Sequence, residues 1–265
     1  MGQNLILRIT TGILAVPVLF LVIHLGGWAF TTWVSITVLL GAWEWWRLRR
    51  AIMGLTELIL LAAGALAVLC GGIDPRPERL VIALGLWFVC AALCGLRHND
   101  GYSARRLGHM VLGLLYIGLL PSFLIQIRAF TFGREALYLV YLSVFLCDTM
   151  AYFIGKTVGR HRLWPRISPK KTWEGAFGGL AGALIASIGG SYLFAEFFSP
   201  MQAIGFGLIV GILAQLGDLV ESHWKREAEV KDSSSILPGH GGILDRFDGL
   251  HFIAPVLFIY LMLSL

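Results

Sequence analysis

The sequence predicts an all-α, polytopic integral membrane protein with about nine transmembrane helices. Of its 265 residues, 57% are hydrophobic and only 14% are charged, and the mean hydropathy is +0.76. A soluble domain carries roughly 25% charged residues, so this chain lacks the polar residues that would cover a water-soluble globule. Disorder is excluded as well, because it requires low hydrophobicity and high charge. The apolar residues also fall into runs that approach the roughly 20 residues needed to cross a bilayer.

Nine apolar segments are predicted to be spanning helices, of which the last is short. They are residues 9–25, 28–46, 55–73, 80–96, 107–127, 136–155, 174–194, 203–220 and 250–265. A cleaved signal peptide is the alternative for the first segment, but no clear small-residue cleavage site follows it. With no repeat or linker, residues 1–265 form one transmembrane domain, in which 1–135 carry no recognised motif and 136–265 carry the informative ones.

The positions of the basic residues predict the orientation of the chain. With the N-terminus in the cytoplasm, 17 of the 21 Lys and Arg residues lie in cytoplasmic segments. Cytoplasmic loops of membrane proteins carry such an excess. The net charge of +5 is therefore explained by topology, and no nucleic-acid partner is predicted. Glu44 and Glu57 lie near span ends close to three arginines, and we expect them to form interfacial ion pairs.

Four aspartates lie at the cytoplasmic edge of the predicted spans. Asp148 is about two turns inside span six, Asp218 ends span eight, and Asp245 and Asp248 come just before span nine. The last two share one face if that stretch is helical. Intramembrane carboxylates are costly and mark functional sites, and Mg²⁺ binds carboxylate together with phosphate oxygens. Salt bridges to neighbouring bases are the alternative interpretation.

The first of two long cytoplasmic loops covers residues 156–172 and ends in the run Ser168-Pro-Lys-Lys-Thr172. We interpret this run as a turn that feeds a helix, with Ser168 and Thr172 as possible helix caps. A helix N-terminus beside Lys170 and Lys171 is a ready phosphate site. Contact with anionic lipid headgroups is the alternative.

The second loop, from about residue 221 to 249, combines bases, acids and glycines. The bases Lys225, Arg226, Lys231 and Arg246 could neutralise a triphosphate, and His240 stands among glycines that permit close backbone approach to a ligand. Together with the aspartates, these residues suggest phosphoryl transfer or nucleotide binding. The chain has neither a Walker A loop nor a GxGxxG sequence on a strand.

Residues 222–248 resemble the signature of the phosphatidate cytidylyltransferase family, the CDP-diacylglycerol synthases. The matching positions are Ser222, Lys225-Arg226, Lys231-Asp232, Leu237-Pro238, His240-Gly241-Gly242, Asp245-Arg246 and Asp248. Trp224 departs from the aliphatic residue or Phe that the family usually has there. A second family motif is matched from Asp148 to Gly155 and from Ser168 to Gly175.

The resemblance implies an integral membrane enzyme with several spanning helices, often a homodimer. We expect a bacterial source from the compact chain with short termini, and hence the inner membrane, with the active site at the cytoplasmic face, where both long loops lie. Such an enzyme would convert CTP and phosphatidate into CDP-diacylglycerol and pyrophosphate with Mg²⁺, and possibly K⁺ as a second cation. By position, the metal-binding and catalytic carboxylates are Asp218, Asp245 and Asp248, with Asp148 as a further metal candidate, and Lys225 and Arg246 join them as catalytic residues. The implied substrate-binding residues are Ser168, Lys170, Lys171, Thr172, Ser222, Arg226, Lys231, Asp232, His240, Gly241 and Gly242.

Two other functions compete with this interpretation. A CDP-alcohol phosphatidyltransferase motif would begin at Asp100-Gly101, but it then requires Gly, Asp and Asp where this chain has Leu114, Gly118 and Ser122. A transporter would place polar residues and broken helices near the bilayer midplane. Here the charges gather at one face, which favours an enzyme.

Overall fold

The structure is a computed structural model that describes residues 15–73, 77–97, 101–193, 199–237, 239 and 241–264. Its helices are α1 (Ala15–Leu25), α2 (Gly27–Leu48), α3 (Leu55–Ile73), α4 (Pro77–Gly95), α5 (Ser103–Gly113), α6 (Leu120–Ala129), α7 (Gly133–Thr157), α8 (Trp173–Leu193), α9 (Pro200–Glu227) and α10 (Leu244–Ser264). A π-helical segment, Leu114–Leu119, joins α5 to α6, and strands β1 (Arg162–Trp164) and β2 (Ser168–Thr172) form an antiparallel hairpin.

Seven helical stretches in the described part of the chain are long and apolar enough to cross a membrane. They correspond to predicted spans three to nine, and the third of them is the continuous stretch Ser103–Ala129. Helix α2 coincides with predicted span two but is not among the seven. Helix α1 covers the second half of predicted span one, and residues 9–14 lie outside the described residues. The chain is thus a helical, polytopic membrane protein, while the count of nine spans and the cytoplasmic N-terminus stay predictions.

Two helices extend further than their apolar runs, which corrects the predicted second loop. Helix α9 continues past Val220 to Glu227, and α10 begins at Leu244 rather than at residue 250. Glu, Lys and Arg are good helix formers, so loss of hydrophobicity does not end a helix. Lys225 and Arg226 in the last turn of α9 also complement its macrodipole. Asp245 and Asp248 therefore lie within the first two turns of α10.

The chain divides into two compact units, the first of which comprises Met1–Gln126 and Asp232–Arg246. Its core includes Trp45, whose indole N–H donates to the carbonyl of His109 at 3.0 Å. Gly118 in the π-helical segment allows close packing on α3, since a Cβ there would lie 3.0 Å from the Cα of Ala65. Pro121 lies two residues after this segment and has no N–H for the carbonyl four residues back, which accounts for the irregular helix.

The second unit comprises Ile127–Lys231 and Phe247–Leu265. Here α8 packs closely on α7 through small residues, because a Cβ on Gly179 would lie 3.1 Å from the carbonyl oxygen of Cys147 and one on Gly182 would lie 2.6 Å from that of Leu146. Helix α9 begins with a capping box, in which Ser199 and Gln202 bond reciprocally, and Pro200 occupies the first helical turn. The packing of α8 positions α7, which carries Asp148, and the cap defines where α9, which carries Asp218, begins.

The run before α8 is a strand, so the predicted turn is wrong. Arg162 pairs with Thr172 and Trp164 with Ser168, and Pro169 fits because a two-stranded hairpin has free edges that need no N–H. The backbone N–H of Trp173 donates to the carbonyl of His161 at 2.9 Å, which continues this pairing into α8. Of the two candidate caps, Thr172 is confirmed, since its hydroxyl oxygen accepts the N–H of Gly175 at 3.1 Å. Ser168 lies inside β2 and caps no helix.

Replacing Thr172 with Ala is expected to destabilise the protein by about 1 kcal/mol, the usual cost of losing an N-cap hydroxyl. Thr172→Ser keeps the hydroxyl that binds the Gly175 N–H and should recover most of the loss. Thermal unfolding in detergent compares the three proteins. Equal losses in both variants would show that the buried methyl group, rather than the cap, stabilises this helix start.

Candidate active site

Four side chains of the second unit form what we name the aspartate cluster: Lys171, Asp218, Ser222 and Asp248. The ammonium of Lys171, at the end of β2, lies 2.7 Å from Oδ2 of Asp218 on α9. The hydroxyl of Ser222, one turn later on α9, donates to Oδ1 of Asp218 at 3.1 Å. Both oxygens of Asp218 are therefore oriented, one of them by a positive charge.

Asp248 joins this cluster from the second turn of α10. Its carboxylate lies close enough to Asp218 for the two negative charges to interact, and Lys225 is also near enough for its positive charge to act on Asp248. Oδ1 of Asp248 accepts the N–H of Gly249 at 2.7 Å. Two carboxylates, one on each helix, thus share one electrostatic environment.

A close helix crossing brings these two carboxylates together. A Cβ on Gly217 would lie 2.6 Å from the carbonyl oxygen of Asp248, and one on Gly249 would lie 3.0 Å from the Cα of Ala214. Only glycine at both positions leaves the backbones of α9 and α10 at this separation. Gly217 immediately precedes Asp218, so the crossing directly determines where that carboxylate stands.

Lys225 is buried beside Glu221, one turn earlier on α9. Their side chains are 9% and 2% exposed, and the ammonium lies 3.3 Å from Oε2 of Glu221. A buried lysine is stable only when its charge is paired. Sequence reasoning identified Lys225 and missed Glu221, although a glutamate at the end of a predicted span was the available signal.

The donor set at Asp218 and Asp248 fits a hard divalent cation. Mg²⁺ is usually held by one or two carboxylates and by substrate phosphates rather than by an all-protein cage. Among the described residues, no group of three or more His, Cys, Asp and Glu side chains is arranged to hold a metal ion. The pair of aspartates nevertheless supplies the expected ligand number, and the Lys171 ammonium beside Asp218 shows that a cation is favoured there.

In the first unit, Asp245 binds two parts of the stretch from Asp232 to Arg246; we name the described residues of this stretch, 232–237, 239 and 241–246, the signature segment. Its Oδ2 accepts the backbone N–H groups of Ser233 at 3.0 Å and Gly242 at 2.7 Å, and it lies 3.0 Å from the hydroxyl of Ser233. Gly241 has a φ of +83°, and a Cβ there would lie 2.7 Å from the same oxygen. Asp245 is therefore packed tightly against the backbone of the segment.

Glu44 is the residue of this unit that sequence reasoning assigned wrongly. Its fully buried carboxylate on α2 accepts hydrogen bonds from the signature segment instead of pairing at the interface. The three neighbouring arginines stack over tryptophans: Arg47 over Trp43, Arg49 over Trp45 and Arg50 over Trp46. A carboxylate inside a predicted span was the signal that could have identified Glu44.

The remaining predicted residues divide by exposure. The side chains of Asp148, Lys170, Arg226, Lys231, Asp232 and Arg246 are exposed. Exposed bases can reach an anionic ligand, although the Arg226 guanidinium also donates to the carbonyl of Val230 at 2.6 Å. Thr172 is buried in its capping position, Ser168 is half-buried in β2 and Gly242 is buried beside Ser233. His240 lies outside the described residues.

Comparison with known proteins agrees with this chemistry. The chain is 35% identical over 266 residues to a phosphatidate cytidylyltransferase of Bacillus subtilis, covering 97% of each chain. It is 33% identical to the protein of that name in Staphylococcus aureus strain COL, covering 97% of this chain and 99% of the relative. It is 34% identical to the one in Pseudomonas aeruginosa, covering 94% of each. Residues 6–264 match the cytidylyltransferase family, and the chain belongs to that family.

Proposed function

We propose that this protein is a phosphatidate cytidylyltransferase, which transfers CMP from CTP to phosphatidate and releases pyrophosphate. The observation that carries the proposal is the aspartate cluster, in which Asp218 and Asp248 come together beside Lys171. Carboxylates that can hold a cation, next to bases that can bind phosphate, are what nucleotidyl transfer requires. Full-length relatives with this name support the choice of substrates.

In the proposed reaction, a phosphate oxygen of phosphatidate attacks the α-phosphorus of CTP. The new P–O bond forms as the bond to the β-phosphate oxygen breaks, and pyrophosphate leaves with that electron pair. The attacking phosphate is already ionised near neutral pH, so the protein has little need of a general base. The chain's own contribution is to align the two phosphates and to offset their charge.

Individual residues have separate roles in this scheme. Asp218 and Asp248 would hold Mg²⁺, which when bound would offset negative charge on the phosphates; K⁺ and a metal-binding role for Asp245 and Asp148 are further proposals. Lys171 orients Asp218. The exposed bases of the second unit, Lys170, Arg226 and Lys231, would bind the triphosphate and take up charge on pyrophosphate. The same role for Arg246 stays a prediction from the sequence.

The proposed location is the inner membrane of a bacterium, with the active site at the cytoplasmic face. Phosphatidate stays in the bilayer whereas CTP arrives from water, so an interfacial site serves both substrates. The excess of Lys and Arg in the predicted cytoplasmic segments supports this orientation, and the relatives above are bacterial. A homodimer is proposed from the family resemblance.

The test is a reaction of the purified protein with phosphatidate, CTP and Mg²⁺ in detergent micelles. CDP-diacylglycerol in the lipid fraction and pyrophosphate in water should appear in equal amounts. Micelles hold no gradient, so turnover there would also argue against a transporter. Absence of both products across several lipids and divalent cations would contradict the proposed activity.

Lys171 and Lys170 provide a matched pair of neighbouring lysines. Lys171→Ala is expected to lower kcat by about 10- to 100-fold, the range seen when a partner that orients a ligand carboxylate is lost. Lys170→Ala removes an exposed charge and should mainly raise KM for CTP, with a smaller decrease in kcat that added salt reduces. Steady-state kinetics at two salt concentrations compares them, and equal effects on kcat would argue against a special role for the Lys171–Asp218 pair.

A further inference from the structure

We propose that Glu44 is a positioning residue that holds the signature segment and, through Ser233, fixes the carboxylate of Asp245. The inference rests on the proposed function, because it gives Asp245 a reason to be held in place. Glu44 lies on α2, far from the family motifs in sequence. Its proposed role therefore extends the active machinery to the N-terminal half of the chain.

Glu44 receives four hydrogen bonds from the signature segment. Its Oε1 accepts the Ser234 hydroxyl at 2.5 Å and the Ile243 N–H at 2.8 Å. Its Oε2 accepts the Ser233 hydroxyl at 2.9 Å and the Leu244 N–H at 2.8 Å. All four partners are donors, so the buried carboxylate acts as an acceptor with both oxygens occupied.

Two of these bonds connect Glu44 to the start of α10. The N–H groups in the first turn of a helix have no partner within the helix, and the backbone N–H groups of Ile243 and Leu244 find theirs in Glu44. A negative charge is also favoured at a helix N-terminus. Asp245 is the next residue, so Glu44 holds the backbone from which the Asp245 side chain projects.

Ser233 couples the two carboxylates. Its hydroxyl lies 2.9 Å from Oε2 of Glu44 and 3.0 Å from Oδ2 of Asp245. A hydroxyl has one proton, so the Ser233 hydroxyl can donate to only one of the two carboxylates at a time and lies as a bridge between them. Its backbone N–H also donates to Oδ2 of Asp245 at 3.0 Å, and a displaced Ser233 would therefore move Asp245.

The glycines of the segment fit closely around Glu44. A Cβ on Gly242 would collide with the Ser233 hydroxyl and with both oxygens of the Glu44 carboxylate. One turn before Glu44 on α2, a Cβ on Gly41 would lie 3.1 Å from the Leu244 side chain. The predicted reason for Gly242 was close approach to a ligand, and the structure supplies a second reason, close approach to Glu44.

Comparing variants of the neighbouring residues Ser233 and Ser234 distinguishes a positioning role from a purely structural one. Ser233 and Ser234 both donate to Glu44, but the Ser233 hydroxyl also contacts Asp245, whereas the Ser234 hydroxyl accepts the Ile236 N–H at 3.2 Å. Ser233→Ala is expected to lower kcat by about 10- to 100-fold with KM for CTP nearly unchanged. Ser234→Ala should lower kcat much less. Equal kcat values for the two variants, at similar unfolding temperatures, would overturn the positioning role.

Limited trypsin digestion tests whether Glu44 holds the signature segment, without relying on activity. Trypsin cleaves after Lys231, the exposed residue that precedes the signature segment. Glu44→Gln replaces an acceptor oxygen with a donor, and we expect cleavage there to accelerate by about 10-fold or more as the segment opens. Glu57→Gln makes the same change at another buried glutamate, which accepts the N–H of Gly54. We expect trypsin to cleave this variant at Lys231 as fast as it cleaves the wild type.

The outcomes are distinct for the role of Glu44 and for the proposed function. Equal rates of cleavage at Lys231 in the wild type and Glu44→Gln would show that Glu44 does not hold the segment, even if the enzyme is active. If Glu44→Gln does not fold, Ser233→Ala and Ser234→Ala are digested instead. Faster cleavage of both would support the proposal that Glu44 holds the segment, and unchanged cleavage would overturn it. A wild-type protein that makes no CDP-diacylglycerol would contradict the proposed function, and with it the positioning of Asp245 for that reaction, while the digestion still decides whether Glu44 holds the segment.

Discussion

Asp245→Asn is expected to abolish the formation of CDP-diacylglycerol at every pH. Asparagine keeps an oxygen that can accept the N–H groups of Ser233 and Gly242, so the signature segment should keep its structure. The change removes the negative charge that would stabilise a cation. A bound cation contributes several kcal/mol to such reactions, and the expected loss is therefore about 1000-fold or more in kcat.

Product formation across a range of pH is the measurement, with unfolding temperature as the test of the fold. Glu227→Gln removes an exposed carboxylate at the end of α9 and serves as a control that should retain activity. Activity of Asp245→Asn that returns at a different pH would contradict a role in cation binding. It would indicate that Asp245 transfers a proton instead.

Much of the architecture could be predicted because one physical requirement dominates it. A bilayer demands long apolar runs, and the runs of predicted spans three to nine became the seven apolar helices. The same requirement singled out Asp218 and Asp248, since placing a carboxylate in or near the bilayer costs free energy and therefore marks a candidate functional site. The structure brings these two aspartates together, as their common depth suggested.

Two predictions from the sequence, the turn before α8 and the start of the second loop at about residue 221, are wrong because short or polar segments form regular structure there. Strand β1 has only three residues, too few for an alternating pattern, and its partner β2 contains Pro169. The last turns of α9 are charged, so hydropathy could not show that the helix continues to Glu227. In both cases local hydrogen bonding determines the structure, and a hydropathy pattern does not record it.

Glu44 was misassigned because its partners are remote in sequence. Ser233 and Leu244 lie 189 and 200 residues further along the chain, whereas three arginines lie within six residues. Sequence proximity favoured the arginines, which stack on tryptophans instead. The tertiary fold, which buries Glu44 against the start of α10, decided the pairing.

Gly217→Ala is expected to damage stability and activity together. The added Cβ would lie 2.6 Å from the carbonyl oxygen of Asp248, and backbone cannot rotate away as a flexible side chain can. Overpacking of this kind costs about 1–3 kcal/mol. Because Gly217 adjoins Asp218, the separation of α9 from α10 would also move Asp218 away from Asp248, and kcat should fall in the protein that remains folded.

Gly189→Ala is the matched control, since it makes the same change within α8, in the same unit, where a Cβ would meet nothing within 4 Å. Alanine is the better helix former, so the control should be neutral or slightly stabilising, with full activity. Unfolding temperature and kcat are measured for both variants in the same detergent. A Gly217→Ala protein that unfolds earlier but keeps its kcat would show that the reaction tolerates a wider spacing of Asp218 and Asp248. An unchanged unfolding temperature would show that the crossing can widen without cost, and the close approach of the two helices would then not be what holds the cluster together.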